Sequence, residues 1–381
     1  MEPDNTNISL GPPLLRTSSA RDLEARRKMV AEGGSYEALV EALGKLPNGF
    51  PRTQSGVEIL LLKKIFTEEE AWLAGQLSRT LESAQKIARR VGLRPEDLEA
   101  RLEAMAGKGK VWSDTRQGKP VFRLAPFMVG IYESQRKGMD HEFAHLFESY
   151  MAEGGAAGIM TPQPALHRVV PSRGSVKSEW ILPYDDVRAI LSKARSFRLS
   201  ECICRLEQDQ VGRRCGFPTR TCLGFSRAKA PPSPTSISRK VALEMLDEFE
   251  RMGLVHTVSN VMTGVGYVCN CCGCCCAILR GINDWGIEDS VAQANYYATA
   301  NPRKCRACRR CEKRCQVHAI TVENKTARVD RQRCIGCGLC VTGCPNGAAS
   351  LRRKPKSQTV EPPLSYAAWE RERLAKRTLP A

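Results

Sequence analysis

Eight cysteines toward the end of the chain are spaced for metal chemistry. Cys305, Cys308, Cys311 and Cys315 follow C-x2-C-x2-C-x3-C, and after eighteen residues Cys334, Cys337, Cys340 and Cys344 repeat the pattern. A [4Fe–4S] cube offers four irons, each taking one thiolate. Two residues between cysteines let a tight loop wrap three corners of the cube. The fourth cysteine of each run starts a short helix and points across to the other cluster. This predicts Cys305, Cys308, Cys311 and Cys344 on one cluster, and Cys334, Cys337, Cys340 and Cys315 on the second. CxxC pairs also suit zinc ribbons. Two identical four-cysteine runs, the second closed by Pro345, favour iron–sulfur chemistry.

Ten further cysteines precede these runs: Cys202, Cys204, Cys215 and Cys222, then Cys269, Cys271, Cys272, Cys274, Cys275 and Cys276. Six thiols within eight residues would oxidise readily without a metal. Two readings stay open. The field binds one or two additional iron–sulfur clusters, eight ligands making two cubes with two cysteines spare. Alternatively, Cys202, Cys204, Cys215 and Cys222 make one structural zinc site. Vicinal side chains diverge, so Cys271–Cys272 and Cys274–Cys276 cannot all reach one metal, which favours more than one metal or a bridged cluster. Arg205 and Asn270 are candidates for hydrogen bonds to sulfur.

Residues 301–353 resemble a bacterial two-cluster ferredoxin domain. The resemblance implies a pseudo-symmetric β-α-β repeat, with a hairpin of strands 319–322 and 326–329 turning at Glu323-Asn324-Lys325 and a return strand over 348–351. Gln316 stands where that family usually has proline after the fourth cysteine. From about residue 184 to 353 the layout is similar to uncharacterised ferredoxin-like proteins. These carry C-x-C-R and C-N-C-C-x-C-C segments separated by a helix ending in a G-L-V turn, here Gly253-Leu254-Val255. That likeness implies redox function and brings no substrate.

The elements that must position these cysteines are legible in outline. Residues 1–34 are polar and read as disordered apart from a helical patch over 20–29. Tyr36, Leu39, Val40 and Leu43 recur at helical spacing, and Thr67 followed by three glutamates is a capping box leading into a helix over 71–81. Residues 83–124 look like a winged helix: two helices, opened by Ser83 and Pro95, then a hairpin turning at Gln117-Gly118. In DNA-binding members the second helix enters the major groove. Here it carries Glu96, Asp97, Glu99 and Glu103 against Arg101, a surface that phosphates would repel. Residues 139–151 form a helix containing His141-Glu142 and His145, a match to H-E-x-x-H. No third ligand in a zincin context follows, and the segment reads as a packing helix. A Pro- and Gly-rich linker covers 154–178, and helices cover 184–197 and 238–252. The second of these, apolar at Val241, Leu243, Met245, Leu246 and Phe249, is expected to bring the two upstream cysteine groups face to face. The tail 352–381 reads as a solvated extension with a mixed-charge helix.

All 18 cysteines lie from Cys202 to Cys344, and the formal charge is +17. Seven of the twelve residues 303–314 are Lys or Arg, opposed only by Glu312. Such cations favour the reduced, more negative cluster and steer an acidic redox partner. The start has no basic segment followed by an apolar run, and no stretch approaches eighteen apolar residues, so a cytoplasmic protein without a membrane span is expected.

The sequence therefore predicts an α+β multidomain protein. Residues 35–135 form a mostly helical winged-helix-like domain, 136–183 a helix and linker, 184–300 a cysteine-rich domain, 301–353 the ferredoxin-like repeat and 354–381 a charged tail. No G-x-G-x-x-G or P-loop is present, so a nicotinamide or flavin would belong to a partner. The expected function is an electron relay to or from an oxidoreductase. A redox-responsive regulator that binds DNA or protein through the winged helix is the alternative, and a catalytic CNCCGCCC site with an open iron is a third reading.

Overall fold

The computed structural model describes residues 34–177 and 181–377. The helical patch expected over 20–29 lies outside the described residues. The chain divides into two compact units, one built from residues up to Lys45 with Phe50–Gly155, the other from Leu46–Gly49 with Ala156 onward.

The first unit is helical with a small sheet. Helices Gly34–Gly44, Val57–Ile65 and Glu68–Gly75 precede strand β1 (Glu82–Ser83). Thr67 caps the third helix: its hydroxyl accepts the Glu70 amide at 3.2 Å, while the Glu70 carboxylate accepts the Thr67 amide at 3.0 Å. That helix stops at Gly75 rather than running to 81. Helices Ala84–Val91 and Pro95–Gly107 follow, then β2 (Val111–Arg116) and β3 (Lys119–Leu124). Gln117 and Gly118 both have positive φ (51° and 73°), as a two-residue hairpin turn requires. The sheet order is β1-β3-β2.

The His141–Tyr150 helix buries Phe143, Leu146, Phe147 and Tyr150. Phe147 stacks on Tyr132 at 4.2 Å between ring centroids. His141 and His145 lie on the exposed side, and Glu142 pairs with Lys64 at 2.7 Å. The H-E-x-x-H match is thus part of a packing helix.

The second unit holds a seven-stranded sheet. Its strands are β4 (His167–Val170), β5 (Ser196–Glu201), β6 (Arg220–Ser226), β7 (Ser236–Ile237), β8 (Val255–Ser259), β9 (Tyr267–Cys271) and β10 (Val291–Ala292), in the order β10-β4-β8-β9-β6-β5-β7. Two sequence expectations give way here. The supposed linker contains β4, wholly buried and paired antiparallel with β8 and parallel with β10. The helix expected over 184–197 is only one short piece, Val187–Leu191, before β5 begins. Phe197 and Leu199 face the core while Arg198 between them is exposed, so alternation outweighs the helical spacing upstream.

The Arg239–Met252 helix is capped by the Ser238 side chain and stopped by Gly253 at φ 95°. It packs Ala242, Leu246 and Phe249 into a core that also holds Leu223, Val268, Cys272 and Cys275. Val241 instead lies at the surface, 38% exposed.

The tail is not a solvated extension. Its Tyr366–Lys376 helix buries Trp369 and Arg373. Arg373 is fully buried and donates to the carbonyls of Pro47 (2.8 Å), Pro164 (2.6 Å), Pro162 and Ile159. A guanidinium carries five donors, which is how a charged residue can be an interior one here.

The last cysteine runs lie among β11 (Tyr296–Ala300), β12 (Ile320–Glu323), β13 (Thr326–Val329) and β14 (Ala349–Arg353). β12 and β13 form a hairpin whose turn residues Asn324 and Lys325 have positive φ (49° and 62°). β14 pairs antiparallel with β11, a strand that precedes the stretch expected to belong to this repeat.

Candidate metal centres

The eight C-terminal cysteines line two hollows. One is walled by Cys315, Cys334, Cys337 and Cys340 with Val317, Ile320, Ile335 and Leu339 among its apolar neighbours. The other is walled by Cys305, Cys308, Cys311 and Cys344 with Val322, Ala327 and Ala348. Each hollow therefore takes three cysteines from one run and the fourth from the other.

Backbone amides supply hydrogen bonds to sulfur in a pseudo-symmetric pattern. The Ala319 amide donates to Cys315 Sγ at 3.1 Å, and the Ala348 amide donates to Cys344 Sγ at 3.2 Å. On β11 the Ala298 amide donates to Cys334 Sγ at 3.4 Å. Four converging thiols, apolar walls and amide donors to sulfur fit a [4Fe–4S] cube, whose thiolates carry negative charge that such donors stabilise. Burial pushes the Cys337 thiol up to about 12 and also raises Cys340 well above the ordinary thiol range. Metal ligation reverses that cost, since a coordinating thiol is deprotonated outright. Cys344 moves the other way: burial works against its thiolate, but amides at Ala349, Ala348, Asn346 and Gly347 outweigh it and lower the pKa.

The two hollows differ in exposure. Cys308 is exposed, whereas Cys334 and Cys340 are buried. Around the hollow of Cys305, Cys308, Cys311 and Cys344, the side chains of Arg303, Lys304, Arg306, Arg309, Arg310 and Lys313 all reach solvent. Arg314 is half-buried and donates to the carbonyls of Leu339 (3.1 Å), Arg251 (2.8 Å) and Glu250 (2.8 Å).

The ten upstream cysteines separate into two groups. The sulfurs of Cys215, Cys272, Cys274 and Cys275 lie within 4.8 Å of one another, a spacing that could hold a metal ion. The remaining six touch in sequence: Cys202 with Cys204, Cys204 with Cys276, Cys276 with Cys271, Cys271 with Cys269, and Cys269 with Cys222. Cys271 and Cys272, adjacent in the chain, thus serve different groups. Cys215, which the zinc reading joined to Cys202, Cys204 and Cys222, stands instead with the CNCCGCCC segment.

Contacts from Cys269 and Cys276 hold the Cys271 thiol down to about 5 against its burial. Contacts from Cys215, Cys274 and Cys275 likewise hold Cys272 well below the ordinary thiol range.

Arg205 is buried beside both groups. Burial opposes its charge, but Cys272, Cys202 and Cys215 outweigh this and hold the guanidinium protonated. It donates to the Asn270 carbonyl at 3.0 Å and to Thr221 Oγ1. The Asn270 side chain, in contrast, does not turn to sulfur. Its Nδ2 donates to the Thr221 carbonyl at 2.7 Å and its Oδ1 meets His256 Nδ1 at 2.7 Å. Alternation along β9 sends Asn270 to the face opposite Cys269 and Cys271. Sequence reasoning missed His256 and Thr221 altogether, because their link to the cysteines runs through strand pairing.

Comparison with known proteins agrees with the C-terminal hollows. A family profile described as a 4Fe–4S dicluster domain matches residues 304–358. A component of the ion-translocating oxidoreductase complex of Methanosarcina acetivorans is 44% identical over 48 residues, 13% of this chain and 18% of its own length. An iron–sulfur protein of Rhodospirillum rubrum is 32% identical over 103 residues, 24% of this chain and 52% of its own. An uncharacterized ferredoxin of Methanocaldococcus jannaschii is 36% identical over 55 residues, 14% and 36% of the two chains. The chain spans about half or less of the length of each of these relatives. No solved structure matches significantly. Among the described residues no helix is long and apolar enough to cross a membrane. The C-terminal segment is a ferredoxin domain that binds 4Fe–4S clusters.

Proposed function

We propose that this protein is a multi-centre electron relay serving an oxidoreductase partner. Cys305, Cys308, Cys311 and Cys344 hold one [4Fe–4S] cluster, and Cys315, Cys334, Cys337 and Cys340 hold the second. Cys215, Cys272, Cys274 and Cys275 hold a third, iron–sulfur centre, and Cys202, Cys204, Cys271 and Cys276 are the ligand candidates for a fourth. The observation that carries this reading is the approach of four sulfurs to within 4.8 Å of one another in the same unit as the dicluster domain. The exposed cations of residues 303–313 form the docking face for an acidic redox protein.

The helices and hairpin of residues 83–124 are read as a winged-helix-like module that docks protein. Glu96, Asp97 and Glu103 are exposed on its second helix, which supports a protein partner over DNA. That surface also weighs against the regulator reading.

Iron, acid-labile sulfide and zinc measured per chain on anaerobically purified protein test the proposal. About twelve or sixteen iron and no zinc is expected from three or four cubes. About eight iron, with or without one zinc, would overturn the third centre and reduce the chain to a two-cluster carrier.

A further inference from the structure

Gln316 follows Cys315 directly, and Gly273 lies between Cys272 and Cys274. These two residues meet. The Gly273 amide donates to Gln316 Oε1 at 2.8 Å, and Gln316 Nε2 donates to the Gly253 carbonyl at 3.0 Å. Asn283 Nδ2 fastens the pair, donating to the Gln316 carbonyl at 2.9 Å and to the Gly273 carbonyl at 3.1 Å. A Cβ at Gly273 would stand 1.9 Å from the Gln316 carbonyl oxygen and 2.7 Å from Asn283 Nδ2, so only glycine permits the approach. On the other side of Cys315, Arg314 holds the carbonyls of Glu250 and Arg251 at the end of the Arg239–Met252 helix. The segment from Arg314 to Gln316 is therefore tied on both sides to the scaffold of the upstream cysteines.

We infer that the Gln316–Gly273 contact is the electron junction between the site of Cys315, Cys334, Cys337 and Cys340 and the site of Cys215, Cys272, Cys274 and Cys275. The inference rests on the third centre proposed above. The bonded route is short: from Cys315 along one peptide to the Gln316 side chain, across one hydrogen bond to the Gly273 amide, and along the chain to Cys272 or Cys274. One electron leaves the reduced centre and enters the oxidised one; no bond is made or broken and no proton moves. The same contact accounts for residue 316 itself. Its counterpart in the second run is Pro345, which has no side-chain acceptor for an amide. The first run gives up the proline and gains the bridge.

The test uses the whole iron-loaded chain, with iron counted first. One-electron reduction by a flash-generated deazaflavin radical, followed by rapid freezing and EPR, resolves the two kinds of centre in time. Gln316→Leu removes both side-chain bonds, and Gln316→Glu keeps an acceptor for the Gly273 amide. The expected result is loss of the fast intramolecular phase in Gln316→Leu at unchanged iron content, with the phase restored in Gln316→Glu. An unchanged fast phase in fully loaded Gln316→Leu overturns the junction. Should that variant lose iron, the unaltered protein decides: magnetic interaction between the reduced centres is expected, and its absence overturns the junction. A count of about eight iron in the unaltered protein removes the third centre and the junction together, and appears in the metal analysis before any rate is measured.

Discussion

Ala307, at φ 54°, occupies the place in the first cysteine loop that Gly336, at φ 72°, holds in the second. The pattern recurs: Arg309 (60°) answers Gly338 (78°), and His318 (53°) answers Gly347 (57°). A left-handed conformation costs a non-glycine residue about 1–2 kcal/mol. The exposed loop therefore bears strain at three positions where the buried loop uses glycine. Gly336 has a second reason to be glycine, because a Cβ there would lie 2.4 Å from the Tyr296 carbonyl oxygen.

The two loops should consequently respond in opposite directions. Ala307→Gly relieves about 1–2 kcal/mol of strain but adds about 0.4–1 kcal/mol of unfolded-chain entropy, for a net gain of about 0–1.6 kcal/mol. Gly336→Ala should cost iron from the Cys315, Cys334, Cys337 and Cys340 site. Thermal unfolding of the loaded protein and iron content per chain check both; a destabilised Ala307→Gly protein would contradict the strain assignment.

In the first unit, Glu82 is a buried carboxylate held by Arg90 and Lys86, each at 2.8 Å. The Arg90 bonds are the main reason its pKa falls from 4.5 to about 2, with burial opposing and Lys86 assisting. A depressed carboxylate pKa stabilises the fold fully above the unfolded value and loses that contribution as pH falls through the folded one. Glu82→Gln should thus cost about 1–2 kcal/mol near pH 6, a figure kept low because Arg90 and Lys86 reach solvent. The difference from the unaltered protein should fade as pH approaches 2. Hydrogen exchange of the Ala84–Val91 helix amides between pH 3 and 6 reads the difference, and a pH-independent gap would refute it.

How much of the fold and the site is legible in the sequence follows the range of each interaction. The paired cysteine runs, the Thr67 cap and the turns at Gln117-Gly118 and Asn324-Lys325 are fixed by neighbours within a few residues, and they read directly. The partition of the upstream thiols depends on β6 pairing with β9, Leu223 opposite Val268, and no local pattern carries that register. β5 reads as helix because a short apolar run fits either period. The tail reads as solvated because a charged helix ordinarily signals solvent, and the proline carbonyls that Arg373 satisfies lie far away in the chain.

The buried guanidinium gives a sharp test of the tail. Burial pulls Arg373 down to about 9, with Arg377 adding to the effect, yet several carbonyls depend on its protons. Arg373→Ala leaves those carbonyls buried without donors, at about 1–3 kcal/mol each where water cannot enter. The second unit should lose at least about 3 kcal/mol of stability, seen as a lower unfolding temperature. A solvated tail would predict no change.

Arg205 offers the corresponding test of the upstream field. Its guanidinium is 3% exposed and faces Cys272, Cys202 and Cys215, so it offsets negative charge gathered on those sulfurs. Reduction adds one more negative charge, and a nearby cation favours that state. On the third-centre reading, Arg205→Leu should move the midpoint of that centre to more negative potential. The shift should be about 90 mV, the one-electron equivalent of about 2 kcal/mol for a charge pair at moderate effective dielectric. Arg205→Lys keeps the charge and should recover most of the shift, although it cannot donate to Thr221 and Asn270 together in the same fork. EPR-monitored redox titration separates this from a packing defect, because lost packing would lower iron content in both variants without a charge-dependent shift. Equal potentials in the Leu, Lys and unaltered proteins would place the guanidinium's role in holding β6 to β9 rather than in tuning the sulfurs.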